Sequence, residues 1–284
     1  CTGYLAILEI FEMRKIMKRG KKMLIIIISI LVAICLISWG VITHLGRSQA
    51  LSLKSIENFN GDLYLIHLTK PTNMTWKAGS FAQFTLHDVK ESNQDTTDAV
   101  FGVTMSSDKN KQNRYWLTIA SNPDENEILI LTHNSSSLYK KTLTNLPAGS
   151  KVEMSWIDSH LSVTDGEEPL VCFASDVGIA AIRPIIKEWA GKRDIILSHL
   201  DKGVTVFDEE LSQTAQKYVE LNYDKSTSLS QSQETLKNIV DKYGNKAIYL
   251  LAGQSDDVEM IKKFLEKQGI DSKQIKVDDF KGLK

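Results

Sequence analysis

Cysteine is scarce in this chain. Cys1, Cys35 and Cys172 lie scattered along 284 residues, too few for a disulfide framework and without the paired spacing of a zinc site. An excess of either charge is also missing. Lys and Arg number 34 against 35 Asp and Glu, a net charge of −1 that presents no basic surface to a phosphate backbone and excludes nucleic acid as a partner. His44, His67, His87, His133, His160 and His199 show no i, i+4 pairing, so no metal site is expected. Neither a P-loop nor a G-x-S-x-G elbow occurs. What is present is ordinary globular composition, 42% hydrophobic, which excludes disorder, collagen and coiled coil. The length suggests two domains, and Cys172 reads as a core residue.

Long apolar runs are absent except for one. Residues 23–43, with Ile25-Ile26-Ile27-Ile28 near their start, carry no charge and are long enough to span a bilayer. The run is too long for a signal-peptide core, and no small-residue cleavage site comes after it. Arg14, Lys15, Lys18, Arg19, Lys21 and Lys22 precede it, whereas only Arg47 and Lys54 lie close behind. The positive-inside rule therefore places residues 14–22 in the cytoplasm and favours an extracytoplasmic position for the residues beyond 43. The expected location is the cell membrane. The start at Cys1, with apolar residues over 3–11, reads as the tail of a preceding helix, so residues 1–22 are expected to be a basic cytoplasmic segment; an amphipathic start is the alternative.

Residues 48–165 hold short runs bounded by Gly, Pro, Asn and Asp: 62–68, 80–87, 115–120, 127–133 and 151–156. Such spacing predicts an antiparallel barrel. From 168 to 284 apolar strands alternate with helical stretches: strand 170–174, helix 179–190, strand 194–199, helix 208–221, a polar loop near 226–234, helix 234–243, strand 247–252 and helix 256–269. Alternation of this kind predicts an α/β doubly wound parallel sheet.

The order of barrel and α/β half, together with a series of short motifs, resembles the ferredoxin-NADP reductase-like flavoproteins, including the flavin and nucleotide half of ferric reductases and NADPH oxidases. Lys77-Ala78-Gly79-Ser80-Phe81 resembles that family's P-G-Q-F/Y, and Leu117-Thr118-Ile119-Ala120-Ser121 resembles its flavin-binding Y/F-S/T-I-A-S. Pro169 to Ala174, continuing into Val177-Gly178-Ile179-Ala180-Ala181, stands at its nucleotide strand and G-G-x-G-I-T/A-P turn. Val206 to Leu211 is similar to its F-x-x-E-L helix start, Tyr249 to Gln254 to its C-G-P strand end, and Ile275 to Phe280 to its terminal I-x-x-E-x-F.

The resemblance implies a flavin-dependent oxidoreductase in which Phe81, Tyr115, Leu117, Thr118, Ile119, Ser121, Ser159, Gly178, Ile179, Gly253 and Phe280 meet FAD or a nicotinamide nucleotide. Thr118 stands nearest the reactive flavin edge. Tyr115 replaces the family's arginine or histidine, Leu117 replaces its aromatic residue, and Arg114 lies one residue out of step. Trp156-Ile157-Asp158-Ser159 stands where the family has G-P-x-G against the flavin pyrophosphate, without its glycines, which leaves FMN open beside FAD. Ser175-Asp176 replaces the paired glycines of the nucleotide turn. Asp176 reads as a cap of the helix over 179–190, and a carboxylate there argues against NAD(P)H pyrophosphate. The implied partners are the membrane and either haem-bearing helices upstream or a redox partner. The resemblance leaves three readings open: an NAD(P)H-dependent reductase passing electrons to a haem or metal acceptor, an extracytoplasmic flavoprotein carrier that does not use NAD(P)H, and a non-catalytic module of the same fold.

Overall fold

A computed structural model describes residues 23, 27–40, 48–59, 61–87, 113–135 and 137–280. The chain divides into two compact units, residues 1–47 and 48–284. In the first, residues 27–40 are helical with exposed apolar side chains, Leu36 and Trp39 among them. Among the described residues no helix is long and apolar enough to cross a membrane. The expected basic flank over 14–22, and 24–26 and 41–43 of the expected span, lie outside the described residues.

The second unit begins with a six-stranded antiparallel sheet. Its strands are β1 (Gln49–Phe59), β2 (Leu63–Thr69), β3 (Phe81–Leu86), β4 (Arg114–Thr118), β5 (Glu127–His133) and β6 (Lys151–Asp158), in the order β4-β3-β6-β1-β2-β5. The two end strands meet where the Ala120 N–H donates to Leu129 O at 2.8 Å and the Leu129 N–H donates to Ser121 Oγ at 3.1 Å, which closes the sheet into a barrel. Strand alternation sends Ile66, Leu68, Ile128, Ile130, Val152 and Met154 into the barrel. A short helix, α1 (Leu138–Leu143), lays Tyr139 and Leu143 into the same core. β2 and β5 are apolar on their outer face as well, through Leu63, Leu65, Leu129 and Leu131, because a helix of the other half covers that face.

That half is a five-stranded parallel sheet of β7 (Leu170–Ser175), β8 (Ile195–Leu200), β9 (Leu221–Ser226), β10 (Ile248–Gln254) and β11 (Ile275–Phe280), in the order β11-β10-β7-β8-β9. Helices α2 (Ile179–Trp189) and α3 (Asp208–Lys217) contribute Ile182, Ile185 and Leu211 to the core on the barrel side. On the other side, α4 (Leu229–Tyr243) and α5 (Ser255–Lys267) contribute Leu236, Val240, Ile261 and Leu265. Cys172 is fully buried in β7, and burial pushes its thiol up to about 12.

Two expectations are corrected here. The helix expected over 208–221 ends at Lys217 and is followed by strand β9 over 221–226, and α4 starts at Leu229 rather than 234. β9 is an edge strand with only Leu221 and Ser226 buried, so Leu-Asn-Tyr-Asp-Lys-Ser carries no apolar run to announce it. The helix signal that precedes Glu234 is the Ser228 side chain, which accepts from the Gln231 N–H and caps α4.

The halves are joined by Arg183 on α2. Its buried guanidinium donates to Ala120 O at 2.6 Å, to Glu210 at 2.6 and 2.9 Å and to Glu125 at 3.1 Å, and it stacks on Phe207 at 4.8 Å. One cation thus holds the barrel closure, α2 and α3 together. Burial opposes ionisation of Glu210, but the hydrogen bonds and charges of Arg183 and Lys187 outweigh it and hold the carboxyl below its ordinary value.

The turn after β7 presses directly on the end of β10. A methyl on Gly178 would overlap the Ala252 carbonyl and lie 2.6 Å from the Gly253 Cα. Gly178→Ala is therefore expected to lower the unfolding free energy by about 1–3 kcal/mol, an overpacking cost, read as a lower urea midpoint at unchanged slope. An unchanged midpoint would show that the turn does not pack on β10.

Candidate functional site

The order of the parallel sheet reverses between β7 and β10, and the crevice beyond their C-terminal ends is where open α/β sheets bind ligands. Period-2 alternation decides which side chains reach it. On β5, His133 shares the outer face of Leu129 and Leu131, so the strand that packs on α2 also carries an imidazole to the crevice. On β10, Gln254 shares the face of Leu250 and Ala252; on β11, Asp278 shares the face of Phe280.

Two of these groups, His133 and Gln254, converge on Asp176, the first residue of a 3₁₀ turn over Asp176–Gly178. His133 Nε2 lies 2.6 Å from Asp176 Oδ1, and Gln254 Nε2 donates to Oδ2 at 2.7 Å. A carboxylate only accepts, so Nε2 of His133 carries the proton. His133 Nδ1 is 3.3 Å from Asp62 without the alignment of a hydrogen bond. Gln254 Oε1 accepts from Lys202 Nζ at 2.8 Å, and Lys202 pairs with Asp257 at 2.6 Å. A polar chain therefore runs across the crevice mouth from the barrel to the start of α5. Asp176 does not cap α2 as expected: the N-cap of that helix is Gly178, without a side-chain bond. The backbone of Asp176 has φ 54°, in the left-handed region, which costs about 1 kcal/mol for a side chain other than glycine. Aspartate tolerates that conformation better than most residues.

The hydrogen bond to Asp176 raises the His133 value, burial opposes it, and the Asp62 charge adds to the rise. For Asp176 burial acts upward, but His133, Gln254 and the Val177 N–H together hold the carboxyl below its ordinary value. Burial lowers the value of Lys140, whose ammonium lies over the Tyr115 ring, and the Asp176 charge opposes the fall.

A second group of side chains lies beside the barrel edge. Phe81, opposite Thr118 in the β3–β4 ladder, meets Trp116 edge-on at 5.6 Å and His160 at 4.5 Å. His160 Nδ1 is 3.4 Å from Asp278 Oδ1. Asp278 Oδ2 is buried and has no partner among the described residues. Burial raises the Asp278 value, and His160 opposes the shift.

The residues expected from the sequence fall into three places. Phe81, Thr118 and Ser159 line the barrel edge; Ser159 Oγ donates to Gly79 O at 3.1 Å. Leu117 and Ile119 point into the barrel core and Tyr115 packs against it, stacked on Tyr139 at 5.4 Å, while the Ser121 hydroxyl serves barrel closure. Gly178, Ile179, Gly253 and Phe280 belong to the crevice and its packing: a methyl on Gly253 would overlap Ser175, and Ile179 is in the core below. The outward face of β4 is Arg114, Trp116 and Thr118, one residue out of phase with the motif reading; Trp116 is 50% exposed. Sequence reasoning missed Trp116, His160 and the pairing of His133 and Gln254 with Asp176. Alternation along Arg114-Tyr115-Trp116-Leu117-Thr118 could have found Trp116. No local signal announces partners 43 and 78 residues away from Asp176.

The His133–Asp176 pair carries a pH signature. His133 is raised, so its contribution is complete below its ordinary 6.5 and is lost as pH climbs through the raised value. Asp176 is lowered, so its contribution is present above 3.8 and is lost as pH falls through the lowered value. The stability difference between wild type and His133→Ala is expected to be larger at about pH 5.5 than at about pH 8.5, measured by urea unfolding at both. An equal difference at the two pH values would mean that the pair is not ionic.

No protein-family model and no curated protein sequence matches the chain. Solved structures do. A cytochrome P450 reductase from Amycolatopsis aligns with 84% of this chain and 72% of its own at 13% identity and a TM-score of 0.62. A ferredoxin NADP+ reductase from Neisseria gonorrhoeae, solved with FAD and NADP, aligns with 82% and 98% at 11% identity and 0.59. A flavohemoglobin from Malassezia yamatoensis with bound FAD and heme aligns with 82% and 60% at 13% identity and 0.60. The chain spans 28% of a self-sufficient cytochrome P450 monooxygenase that it also matches. The chain has the two-part fold of the ferredoxin-NADP reductase-like flavoproteins.

Proposed function

We propose that this protein is a flavin-dependent oxidoreductase that relays electrons through FAD, or FMN, to a haem, metal or protein acceptor in the manner of ferric reductases. The observation that carries the reading is the barrel-edge group on this fold: a half-exposed Trp116 beside Phe81, Thr118 and His160, with a buried Asp278 oxygen that lacks a partner among the described residues. A flat ring with a polar rim suits such a surface, since the aromatics meet its face and the hydroxyl and carboxyl meet its edge. A bound flavin supplies the electron chemistry. The chain's own groups hold and orient it: Trp116 by contact with the ring, Thr118 by its hydroxyl, Asp278 by accepting from a ring N–H, and His160 by setting the charge on Asp278. Arg114, outward on the same strand, is the cation placed to meet a flavin phosphate. The glycine-free stretch Trp156-Ile157-Asp158-Ser159, an irregular end of β6 where Trp156 has φ 54°, offers a pyrophosphate less than it offers a single phosphate, which keeps FMN beside FAD.

Residues 48–165 and 168–284 are read as the flavin and nucleotide-type domains, tethered to the cell membrane by residues 23–43. The basic residues before that run favour an extracytoplasmic side for the domains. Two electron donors fit the fold, NAD(P)H on the cytoplasmic side or another redox group outside it. The Asp176 carboxylate in the crevice favours the second.

The purified full chain is expected to carry a flavin absorption band. Trp116→Ala should weaken flavin binding about tenfold, or ~1.4 kcal/mol, with stability changed by no more than about 0.5 kcal/mol. Leu117→Ala should act the other way round, costing about 2–5 kcal/mol of stability as a core truncation. A chain that neither carries nor takes up flavin would remove the reading and leave a binding module of this fold. For sidedness, external protease on right-side-out vesicles is expected to digest the domains; full protection would place them in the cytoplasm.

A further inference from the structure

Dinucleotide phosphates bind at the reversal point of a parallel sheet because backbone N–H groups at the start of the next helix face an open crevice free of competing negative charge. In this protein those requirements are met from within. The Asp176 side chain stands at the start of the turn into α2, and three donors already converge on it: the imidazole of His133 at 2.6 Å, the amide of Gln254 at 2.7 Å and the Val177 N–H. The backbone there adopts φ 54°, where a glycine would be relaxed, and the three donors help to hold an aspartate in that conformation.

The neighbouring backbone is close-packed as well. A methyl on Gly178 would meet Ala252 and Gly253, and one on Gly253 would meet Ser175, so these glycines serve the packing of the turn on β10. The Ser175 hydroxyl accepts from the Gln254 N–H at 3.1 Å. The chain Asp62, His133, Asp176, Gln254, Lys202 and Asp257 spans the mouth from the barrel to α5. The residues present therefore do not fit a nicotinamide dinucleotide.

We infer that the Asp176 carboxylate is the resident anion of this crevice, holding the donors that a dinucleotide pyrophosphate would need, so that the protein does not draw its electrons from NAD(P)H. A phosphate entering the crevice would have to displace a buried carboxylate from two side-chain hydrogen bonds, one of them to a charged partner, which weakens its affinity by about a hundredfold or more. The inference deepens the flavin reading, on which it rests for the path of the electrons, by excluding one class of donor. The donor must then be a redox group that reaches the flavin edge without a phosphate anchor at the sheet.

The test is equilibrium dialysis of NADPH and of NADH against the full chain, with Asp176→Gly and Asp176→Asn beside the wild type. The wild type is expected to retain neither nucleotide up to about 1 mM. Asp176→Gly relaxes the backbone, removes the charge and frees His133 for a phosphate, and is expected to bind at least about tenfold more tightly than wild type. Should that variant fail to fold by circular dichroism, Asp176→Asn carries the arm, since it keeps the side-chain shape and removes only the charge. Micromolar binding of either nucleotide by the wild type would overturn the inference, and so would folded variants that bind no better than wild type. Dialysis needs no flavin, so a purified chain lacking flavin would end the functional reading while leaving this result to be judged alone.

Discussion

The arrangement of this protein depends on one buried carboxylate. Asp176 sits where the barrel, the β7 turn and the end of β10 meet, and each contributes a partner to it. Burying a carboxylate is costly unless its oxygens are met by donors. That requirement fixes His133 at the end of β5 and Gln254 at the end of β10 in their observed places. The same requirement explains why a residue with a left-handed backbone is tolerated at the first position after β7. Arg183 does comparable work on the far side of α2, joining the barrel closure to Glu125 and Glu210. The apolar core beside these two ionic centres is shared by β2, β5 and α2.

A second cluster of side chains lies at the barrel edge. The outer face of β4 and the residues after β6 bring Trp116, Phe81, Thr118 and His160 together, and β11 adds Asp278. A single-residue change of phase on a strand exchanges its faces. That is why Tyr115 and Leu117, which stand at the motif positions, serve the barrel core while Arg114 and Trp116 face outward. The fold is preserved through such a shift because each face needs only apolar or polar character, whereas a ligand needs particular side chains.

Much of the architecture was legible in the sequence. Strands β2, β3, β5, β7, β8 and β10 are bounded apolar runs, and α2 and α5 come after them with helical spacing, so the barrel and the parallel sheet could be written down from periodicity. β9 was not legible, because an edge strand with two buried residues looks polar. The site was legible only in part. Asp176 could be singled out because a carboxylate replaces a glycine at a turn, but reading it as a helix cap missed its use. Its partners come from β5 and β10, and long-range pairing leaves no trace in local spacing. Gly178 and Gly253, which the resemblance places at the nucleotide turn and the C-G-P strand end, are close-packed in space, a methyl on either meeting the neighbouring chain.

Electrons are proposed to reach this fold without a nicotinamide dinucleotide in its crevice. The most direct measurement is an anaerobic titration of the full, flavin-loaded chain with NADPH and then NADH, watched through the flavin absorption band and completed with dithionite. The band is expected to persist through both nucleotides and to bleach with dithionite. Bleaching by either nucleotide at stoichiometric amounts would contradict that proposal.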